Sequence, residues 1–454
     1  MVDYSEIIVA PATLCGGAIA IVRMSGAGCV ELVDTIFRGV SKEGLKEAAG
    51  YTLHYGYITE KEEVVDDVML SIFRAPHSYT GEESVEISCH GSSYIVSRII
   101  ELTISQGARM AREGEFSTRA FLAGKMDLSQ AEAVADMIAS SSRAMHALAT
   151  TQMRGGYSAK LGELRSQLVH LSALLELELD FSEEDVEFAD RAELSSLMCS
   201  LSVEIERLIE SFKVGNAIKE GVAVAIVGAP NAGKSTLLNR LLGEDRAMVS
   251  EIAGTTRDTI EDVVTLNGVK YRFIDTAGLH KSDDRLEQMG IERTHAAVAR
   301  AQIVVLLIDV SALQAAQGAE TIAVSPEQQH IIVLNKIDSV DGDFAYPAGF
   351  ENAVCISAKS GTGMEELLDR LKSEVNLESL YEGDIVVSNA RHYTHLTAAN
   401  KSLNSAQQAI NNNHPTDLLA DDLRHTLHHI GSITGEITND EILGKIFSSF
   451  CIGK

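Results

Sequence analysis

Residues 228–235 of this chain have the glycine-rich sequence GAPNAGKS, which ends in a lysine and a serine. It follows the apolar, β-branched run 222–227, which predicts a buried parallel strand, and it precedes residues 236–242, whose spacing predicts a helix. A glycine-rich turn in this position lets backbone N–H groups surround a phosphate at the positive end of the helix. Lys234 would contact the β- and γ-phosphate oxygens, and the Ser235 hydroxyl would bind Mg²⁺. The sequence therefore predicts a phosphate-binding loop.

Four further apolar runs follow this loop, at residues 271–274, 303–308, 331–334 and 353–356. Each precedes a polar loop and a stretch with helical spacing, so we expect a doubly wound, mostly parallel α/β sheet spanning about 216–378. Ligands of such sheets bind at the carboxyl ends of the strands. We therefore expect the remaining ligand contacts in the loops at those ends.

Three of those loops carry motifs typical of guanine-nucleotide binding. Asp275 to Gly278 (DTAG) supplies a carboxylate that can hold Mg²⁺ through water and an N–H that can face a γ-phosphate. Asp338 of the NKID sequence can accept two hydrogen bonds from the guanine ring N–H and amine, a donor pair that adenine lacks. Residues 357–359 (SAK) would brace the base through backbone amides. The predicted ligand is GTP, and its predicted contacts are Asn231, Ala232, Gly233, Lys234, Ser235, Thr236, Ser250, Glu251, Ile252, Ala253, Gly254, Thr255, Asp275, Thr276, Ala277, Gly278, Asn335, Lys336, Asp338, Ser357, Ala358 and Lys359.

The candidate catalytic residues of this nucleotide site lie in two further segments. The segment 254–258 (GTTRD) lies where a switch loop would bring Thr256 to Mg²⁺. Leu279 stands where some GTPases place a water-orienting glutamine, so catalysis must differ here. Glu287 is the candidate substitute, although a solvated helix carboxylate would look the same. Asn231 offers an oxygen where a monovalent cation can replace an arginine finger.

The segments around the nucleotide-binding domain predict two other folds. Residues 1–118 alternate strand-like and helical runs, which predicts an α+β domain. Residues 119–215 and 379–454 carry helical periodicity in the runs 129–138, 161–179, 192–212, 390–410, 418–433 and 439–450, which predicts an all-α domain that the nucleotide-binding domain interrupts. The apolar run 7–22 contains Pro11 and is too short to span a bilayer, so we expect neither a signal peptide nor an anchor.

Charge and cysteine content narrow the possible partners and compartment. The net charge of -27 argues against broad electrostatic attachment to nucleic acid or an anionic membrane, so any RNA contact would be focal or assisted by a partner. The six cysteines include no C-x-x-C pair, which indicates neither a zinc site nor a disulfide framework. A cytoplasmic location fits best.

Several sequences outside the nucleotide motifs carry a resemblance that covers the whole chain. They are residues 21–26 (IVRMSG), 79–82 (YTGE), 119–133 (RAFLAGKMDLSQAEA) and 451–454 (CIGK). Together with GTTRD and DTAGL inside an interrupted helical domain, they resemble the MnmE (TrmE) family of bacterial tRNA-modification GTPases. The family implies a homodimer formed through the N-terminal domain. It also implies action with the flavoprotein MnmG (GidA) to add a carboxymethylaminomethyl-type group at C5 of the wobble uridine of certain tRNAs.

The resemblance also implies roles for individual residues. Arg23, Glu86, Lys125 and Lys454 would contact a 5-formyl- or 5,10-methylene-tetrahydrofolate. Asn231, Ser250, Ile252 and Thr255 would surround K⁺, Glu287 would orient the attacking water and Cys451 would serve the modification step. The chain departs from relatives at Ser250, where threonine can occur, and at His280, where arginine is common.

Simpler explanations remain for the residues outside the nucleotide motifs. Arg23 would merely pair with an acidic neighbour, Lys125 would cap a helix and Cys451 would be a tail thiol. At the level of function, the main alternative is a GTP-regulated binding switch in ribosome assembly, although no RNA-binding module is evident. A third possibility, an ATP-driven phosphotransferase, is disfavoured by Asp338.

Overall fold

The computed structural model describes residues 4–40, 44–180, 191–244, 262–266, 268–274, 296–312, 328–340, 350–375, 385–412, 414–437, 440–448, 450 and 453. The chain divides into two compact units, one of residues 1–135 with 430–454 and the other of residues 136–429. Among the described helices, none is long and apolar enough to cross a membrane.

The first unit is built on one sheet and its flanking helices. The elements are β1 (Ile8–Pro11), β2 (Ile19–Ser25), α1 (Cys29–Ile36), β3 (Phe37–Gly39), β4 (Thr52–Glu60), β5 (Glu63–Phe73), β6 (Ser84–His90), α2 (Ser93–Ser105), β7 (Arg109–Met110), α3 (Glu115–Leu122), α4 (Leu128–Ala139) and, near the other end of the chain, α12 (Asp440–Phe447). The last residues of α4 fall in the second unit. The seven strands are ordered β3-β4-β5-β6-β2-β1-β7, and neighbouring strands are antiparallel except β1 and β7, which are parallel. This mixed architecture confirms the predicted α+β fold.

The two faces of this sheet differ in what covers them. On the inner face, Val22, Leu70 and Ile87 are fully buried in a core that includes α1 and α2 residues such as Val33 and Ile99. The opposite, outer face carries the alternate residues of the same strands. Large apolar side chains remain exposed there.

The second unit contains helices that come before and after its sheet in the chain and whose apolar stripes pack against one another. They are α5 (Arg143–Met153), α6 (Gly156–Asp180), α7 (Arg191–Glu220), α10 (Ala390–Asn411) and α11 (Thr416–Thr434), the last of which ends in the first unit. Helices α7 and α10 meet along much of their length, with the Phe212 and Tyr393 rings stacked at 4.4 Å. Helical periodicity in the sequence predicted all of these helices except α5.

A six-stranded sheet with two helices follows α7 in the chain. The elements are β8 (Val222–Val227), α8 (Lys234–Glu244), β9 (Asp262–Leu266), β10 (Val269–Phe273), β11 (Ile303–Asp309), β12 (Gln329–Asn335), β13 (Val354–Cys355) and α9 (Met364–Ser373). The strands are ordered β13-β12-β11-β8-β10-β9. All pairings are parallel except the β9–β10 hairpin. The chain crosses from β10 on one side of β8 to β11 on the other, which creates the switch point where ligands of such sheets bind. The predicted doubly wound, mostly parallel sheet is confirmed.

The hairpin side of this sheet packs against the helices of the same unit. Ala144, Met145 and Leu148 of α5 share one core with Val264 and Tyr271 of the hairpin. The Ala144 N–H also donates to the Gly268 carbonyl at 3.3 Å. The returning chain is fixed to the same helices, because Gln152 Nε2 of α5 donates to Val386 O at 3.0 Å. The inserted sheet and its flanking helices therefore share a hydrophobic core.

Candidate nucleotide site and N-terminal pocket

The phosphate-binding loop lies between β8 and α8, as the sequence predicted. Lys234 is the first residue of α8, and its Nζ donates to Gly228 O at 2.7 Å and Ala229 O at 3.0 Å across the loop. Burial lowers the pKa of the Lys234 ammonium. Asn231 lies exposed at the turn with φ of 64°. The loop therefore presents a cation and a helix N-terminus at one edge of the sheet, which suits a polyphosphate.

Asn335 connects this loop to the predicted base-binding loop. Its side chain is 2% exposed, and its Nδ2 donates to Ala232 O at 2.7 Å while its Oδ1 accepts from the Ala358 N–H at 3.0 Å. Gly233 has φ of 100°, and a Cβ there would collide with the Asn335 amide. The glycine is therefore required both by the backbone conformation and by this close approach.

Asp338 follows β12 in a short 3₁₀ turn (Ile337–Ser339) and is exposed. The neighbouring Lys336 donates from Nζ to Asp309 Oδ2 at 2.6 Å, at the end of β11. Burial would raise the pKa of Asp309, but hydrogen bonds from Lys336 and Ser311 hold it below its usual value. Asp309 is thus an ionised anchor for the Lys336 side chain, while Asp338 is left to face a ligand.

The 357–361 loop is held tightly at the end of β13. Ser357 Oγ accepts from the Ser360 N–H at 3.1 Å, and Ser357 O accepts from the Gly361 N–H at 2.8 Å. Lys359 is exposed at its tip. The structure therefore brings the predicted contacts on three loops to one sheet edge: Asn231, Ala232, Gly233, Lys234, Ser235 and Thr236 after β8, Asn335, Lys336 and Asp338 after β12, and Ser357, Ala358 and Lys359 after β13.

The other predicted nucleotide and catalytic residues lie outside the described residues. They are Ser250, Glu251, Ile252, Ala253, Gly254, Thr255, Thr256, Asp275, Thr276, Ala277, Gly278 and Glu287, and the same holds for Cys451 and Lys454. Their roles stay predictions.

In the first unit, Arg23 and Glu86 are cross-strand partners on β2 and β6. Arg23 Nε donates to Glu86 Oε1 at 2.9 Å. Arg23 therefore does pair with an acidic neighbour, and that neighbour is itself one of the predicted folate contacts. The guanidinium lies 5.7 Å from the Tyr79 ring centroid and 5.9 Å from that of Phe116. We call this cluster of paired charges and aromatic rings, in which Phe116 is fully buried, the N-terminal pocket.

The end of the chain reaches the same pocket. Arg23 Nη1 donates to Gly453 O at 3.2 Å, across a sequence separation of 430 residues. Gly453 has φ of 99°, and a Cβ there would collide with Pro11 O, so only glycine fits. The tail is held nearby by Phe447 and Phe450, which pack with Phe121 in one apolar cluster.

A second loop completes the pocket. Its Tyr79 hydroxyl shares a hydrogen bond with Ser117 Oγ at 2.9 Å, and Glu82 accepts from the buried Arg119 at 2.9 Å. Lys125 is exposed beside this loop, where a Cβ at Gly81 would lie 3.5 Å from its Cε. The Lys125 N–H donates to Ala120 O at 2.9 Å, so this residue also closes the end of α3.

A buried ion network supports that loop from below. Glu115, itself 2% exposed, accepts from Arg109 Nη1 at 2.8 Å and from Arg119 Nη2 at 3.1 Å. Burial would raise the pKa of Glu115, but hydrogen bonds from Arg109, the Arg112 N–H and Arg119 lower it to about 2. Arg119 therefore stays fixed against Glu82.

Sequence reasoning missed several of these contributors. Tyr79 and Arg119 lay inside quoted motifs without assigned roles, and Gly453 lay between two selected tail residues. Asp309 ends a strand without a motif of its own. Arg240 of α8 contacts the 357–361 loop, yet in the sequence it is an ordinary arginine of an amphipathic helix.

Comparison with known proteins gives matches along the whole chain. A family model described as "MnmE helical domain" matches residues 128–451, and one described as "GTP-binding protein TrmE N-terminus" matches residues 7–125. Three relatives share the name "tRNA modification GTPase MnmE". The protein from Christiangramia forsetii is 46% identical, with 99% of each chain covered. That from Flavobacterium psychrophilum is 47% identical over 99% of this chain and 100% of its own. That from Bacteroides thetaiotaomicron is 48% identical over 99% of each.

Proposed function

Because this chain belongs to the MnmE family, we propose that it is a GTP hydrolase that acts in tRNA modification. The observation that best supports guanine-nucleotide binding is the Asn335 side chain, which joins the phosphate loop to the 357–361 loop. Beside it, Asp338 stands exposed where a base would lie. Ser235 would hold the Mg²⁺ that accompanies GTP, together with Thr256.

We further propose the specific reaction that the resemblance implies. The chain would act in the cytoplasm with the flavoprotein MnmG to add a carboxymethylaminomethyl-type group at C5 of the wobble uridine. Cys451 would serve this step, either as a nucleophilic thiol, which a serine cannot replace, or by shaping the folate pocket without reacting. Arg23, which contacts Gly453, supports the placement of the tail beside the N-terminal pocket.

Mass spectrometry of tRNA nucleosides from a deletion strain tests this reaction. We expect the wobble modification to disappear, and a Cys451→Ser chain to leave it absent while hydrolysing GTP at a normal rate. The serine variant separates the two activities, because it alters no predicted nucleotide contact. Intact wobble modification in the deletion strain, with altered ribosome profiles, would instead favour the ribosome-assembly switch.

We propose that the N-terminal pocket binds a one-carbon tetrahydrofolate. A pterin ring presents a ring N–H beside an amine, the donor pair that a carboxylate such as Glu86 accepts. Arg23 would contact the pterin ring beside Glu86, and Tyr79 offers an aromatic face. The exposed Lys125 offers positive charge for the acidic tail of a folate. Lys454 follows Gly453 and would add a further cation.

Replacing Arg23 with alanine should weaken binding of 5-formyltetrahydrofolate by about 10–100-fold, since the change removes a charge-assisted contact and leaves Glu86 unpaired. Isothermal titration calorimetry measures the affinity directly. Arg38→Ala on β3 is the matched control, because Arg38 bonds only to nearby carbonyls at the sheet edge, Thr35 O and Phe37 O, among the contacts that the structure describes. Equal affinity in wild type and Arg23→Ala would remove Arg23 from the pocket.

We propose that the outer face of the seven-stranded sheet forms a homodimer. The strand register places Leu53, Ser71, Glu86 and Arg23 in one row across this face. Leu53 is 66% exposed, and Tyr55 and Met69 in the next row are 48% and 39% exposed. An exposed apolar patch bordered by polar side chains is typical of a protein interface. Sedimentation equilibrium tests it, and a monomer at micromolar concentration would contradict it.

We propose that K⁺ supports hydrolysis. Asn231 would contribute an oxygen ligand, and Ser250, Ile252 and Thr255 would complete the site. The exposed position of Asn231 at the turn of the phosphate loop supports this assignment. Glu287 would orient the attacking water.

A further inference from the structure

Arg240 connects the helix of the phosphate loop to the base loop. It lies on α8, less than two turns after Lys234, and its Nε donates to Ala358 O at 3.2 Å. Its Nη2 donates to Lys359 O at 2.5 Å. A Cβ at Gly361 would lie 3.4 Å from its Nη1. The guanidinium therefore fills the inner side of the 357–361 loop and bonds two consecutive carbonyls.

The same loop is held from the opposite direction by Asn335. The Ala358 N–H donates to Asn335 Oδ1, and Asn335 also holds Ala232 O of the phosphate loop. Both backbone polar groups of Ala358 are thus fixed, one by β12 and one by α8. The asparagine belongs to the NKID motif that the sequence identified. The arginine belongs to no motif.

We propose that Arg240 is a positioning residue for guanine recognition, an inference that rests on the proposed GTP binding. A loop that reads a base through its amides must hold those amides at fixed angles before the ligand arrives, because ordering them on binding would cost affinity. A cation bonded to a carbonyl also polarises that peptide group, which strengthens its N–H as a donor. Arg240 orients the 358–359 and 359–360 peptides through their carbonyls, and it polarises the Lys359 N–H toward a base, since the Ser360 N–H already donates to Ser357 Oγ.

This role separates the base from the phosphates. Arg240 contacts only the base loop among the described nucleotide loops, whereas Lys234 and the α8 N-terminus act on the phosphates. Loss of Arg240 should therefore reduce affinity for a nucleotide and leave affinity for a bare polyphosphate unchanged. A merely structural role in α8 would reduce both affinities together.

The test compares Arg240→Ala and Arg240→Lys with the wild-type chain. Competition against a fluorescent GDP analogue, in Mg²⁺, gives the Kd of GDP and of inorganic tripolyphosphate. We expect Arg240→Ala to weaken GDP binding about tenfold or more, mostly through faster dissociation, with tripolyphosphate affinity unchanged within twofold. The KM for GTP should rise with kcat nearly constant, and lysine should restore part of the loss because it keeps one charged donor.

Arg370→Ala on α9 is the matched control, since Arg370 is exposed and pairs with Glu374 along its own helix. Thermal melts followed by circular dichroism report whether each variant folds. Wild-type GDP affinity in Arg240→Ala, or equal losses for GDP and tripolyphosphate, would overturn the proposal. A wild-type chain that binds no GDP would contradict the proposed GTPase function as well.

Discussion

Replacing Asp338 with asparagine should change the nucleotide preference of this chain from guanine to xanthine. The aspartate carboxylate would accept hydrogen bonds from the guanine ring N–H and its amine. An asparagine amide offers one acceptor and one donor, so it opposes the guanine amine and suits the carbonyl that xanthine carries there. Asp338 is exposed beside a loop fixed by Asn335, so no other described contact of the fold depends on its charge.

The expected loss of GTP affinity is roughly 10²–10⁴-fold, because each hydrogen bond to a charged group contributes about 1.5–3 kcal/mol. In competition measurements, the wild-type chain should bind GDP more tightly than xanthosine diphosphate, and the variant should bind xanthosine diphosphate more tightly than GDP. Asp369→Asn on α9 makes the same change of charge at an exposed site of the same domain and should have no effect. Undiminished guanine preference in Asp338→Asn would remove Asp338 from the base site.

Exchanging K⁺ for Na⁺ should lower the rate of GTP hydrolysis by about 10²-fold or more. An arginine finger contributes roughly 10³–10⁵ in rate by stabilising charge that develops on the phosphates. Arg240, the arginine of the phosphate-loop helix, is bonded to Ala358 O and Lys359 O, so it does not serve as such a finger. A cation held by Asn231 and the loop that contains Ser250, Ile252 and Thr255 would supply the charge instead, and a cavity formed by oxygens at K⁺ distances fits the smaller Na⁺ poorly.

Steady-state hydrolysis at matched ionic strength in KCl and NaCl measures this effect. The Kd of GDP should be nearly equal in the two salts, because the cation is proposed to act on the transition state and not on ground-state binding. Equal turnover in both salts would end the K⁺ proposal. If GDP affinity and turnover fell by the same factor in NaCl, the cation would act on nucleotide binding and not on the transition state.

The sheet that carries the nucleotide loops could be predicted well from the sequence. Strands such as Ile303–Asp309 and Gln329–Asn335 are largely buried on both faces, so their apolar runs are continuous, and the second of them ends in the NKID motif. The seven-stranded sheet was harder to predict. Thr52–Glu60 faces helices on one side and leaves Leu53 and Tyr55 exposed on the other, so the alternation that marks a half-buried strand is blurred.

The site residues that could not be predicted from the sequence were missed for one physical reason. Arg240, Asp309 and Gly453 act through contacts between elements distant in sequence, and no local spacing encodes such contacts. Helix α5 was missed for a related reason. Its Met145 and Leu148 are buried against the β9–β10 hairpin, a partner that only the folded chain reveals.

The contact between Arg23 and Gly453 has a consequence for how the protein is made. A ribosome releases residue 23 long before residue 453, so the seven-stranded sheet can assemble early, yet its pocket stays open on one side until translation is nearly finished. Chains that stop early would hold a sheet without a complete pocket. A ligand of the N-terminal pocket would then bind only chains in which Arg23 and Gly453 are in contact. Its binding would stabilise those folded chains by mass action.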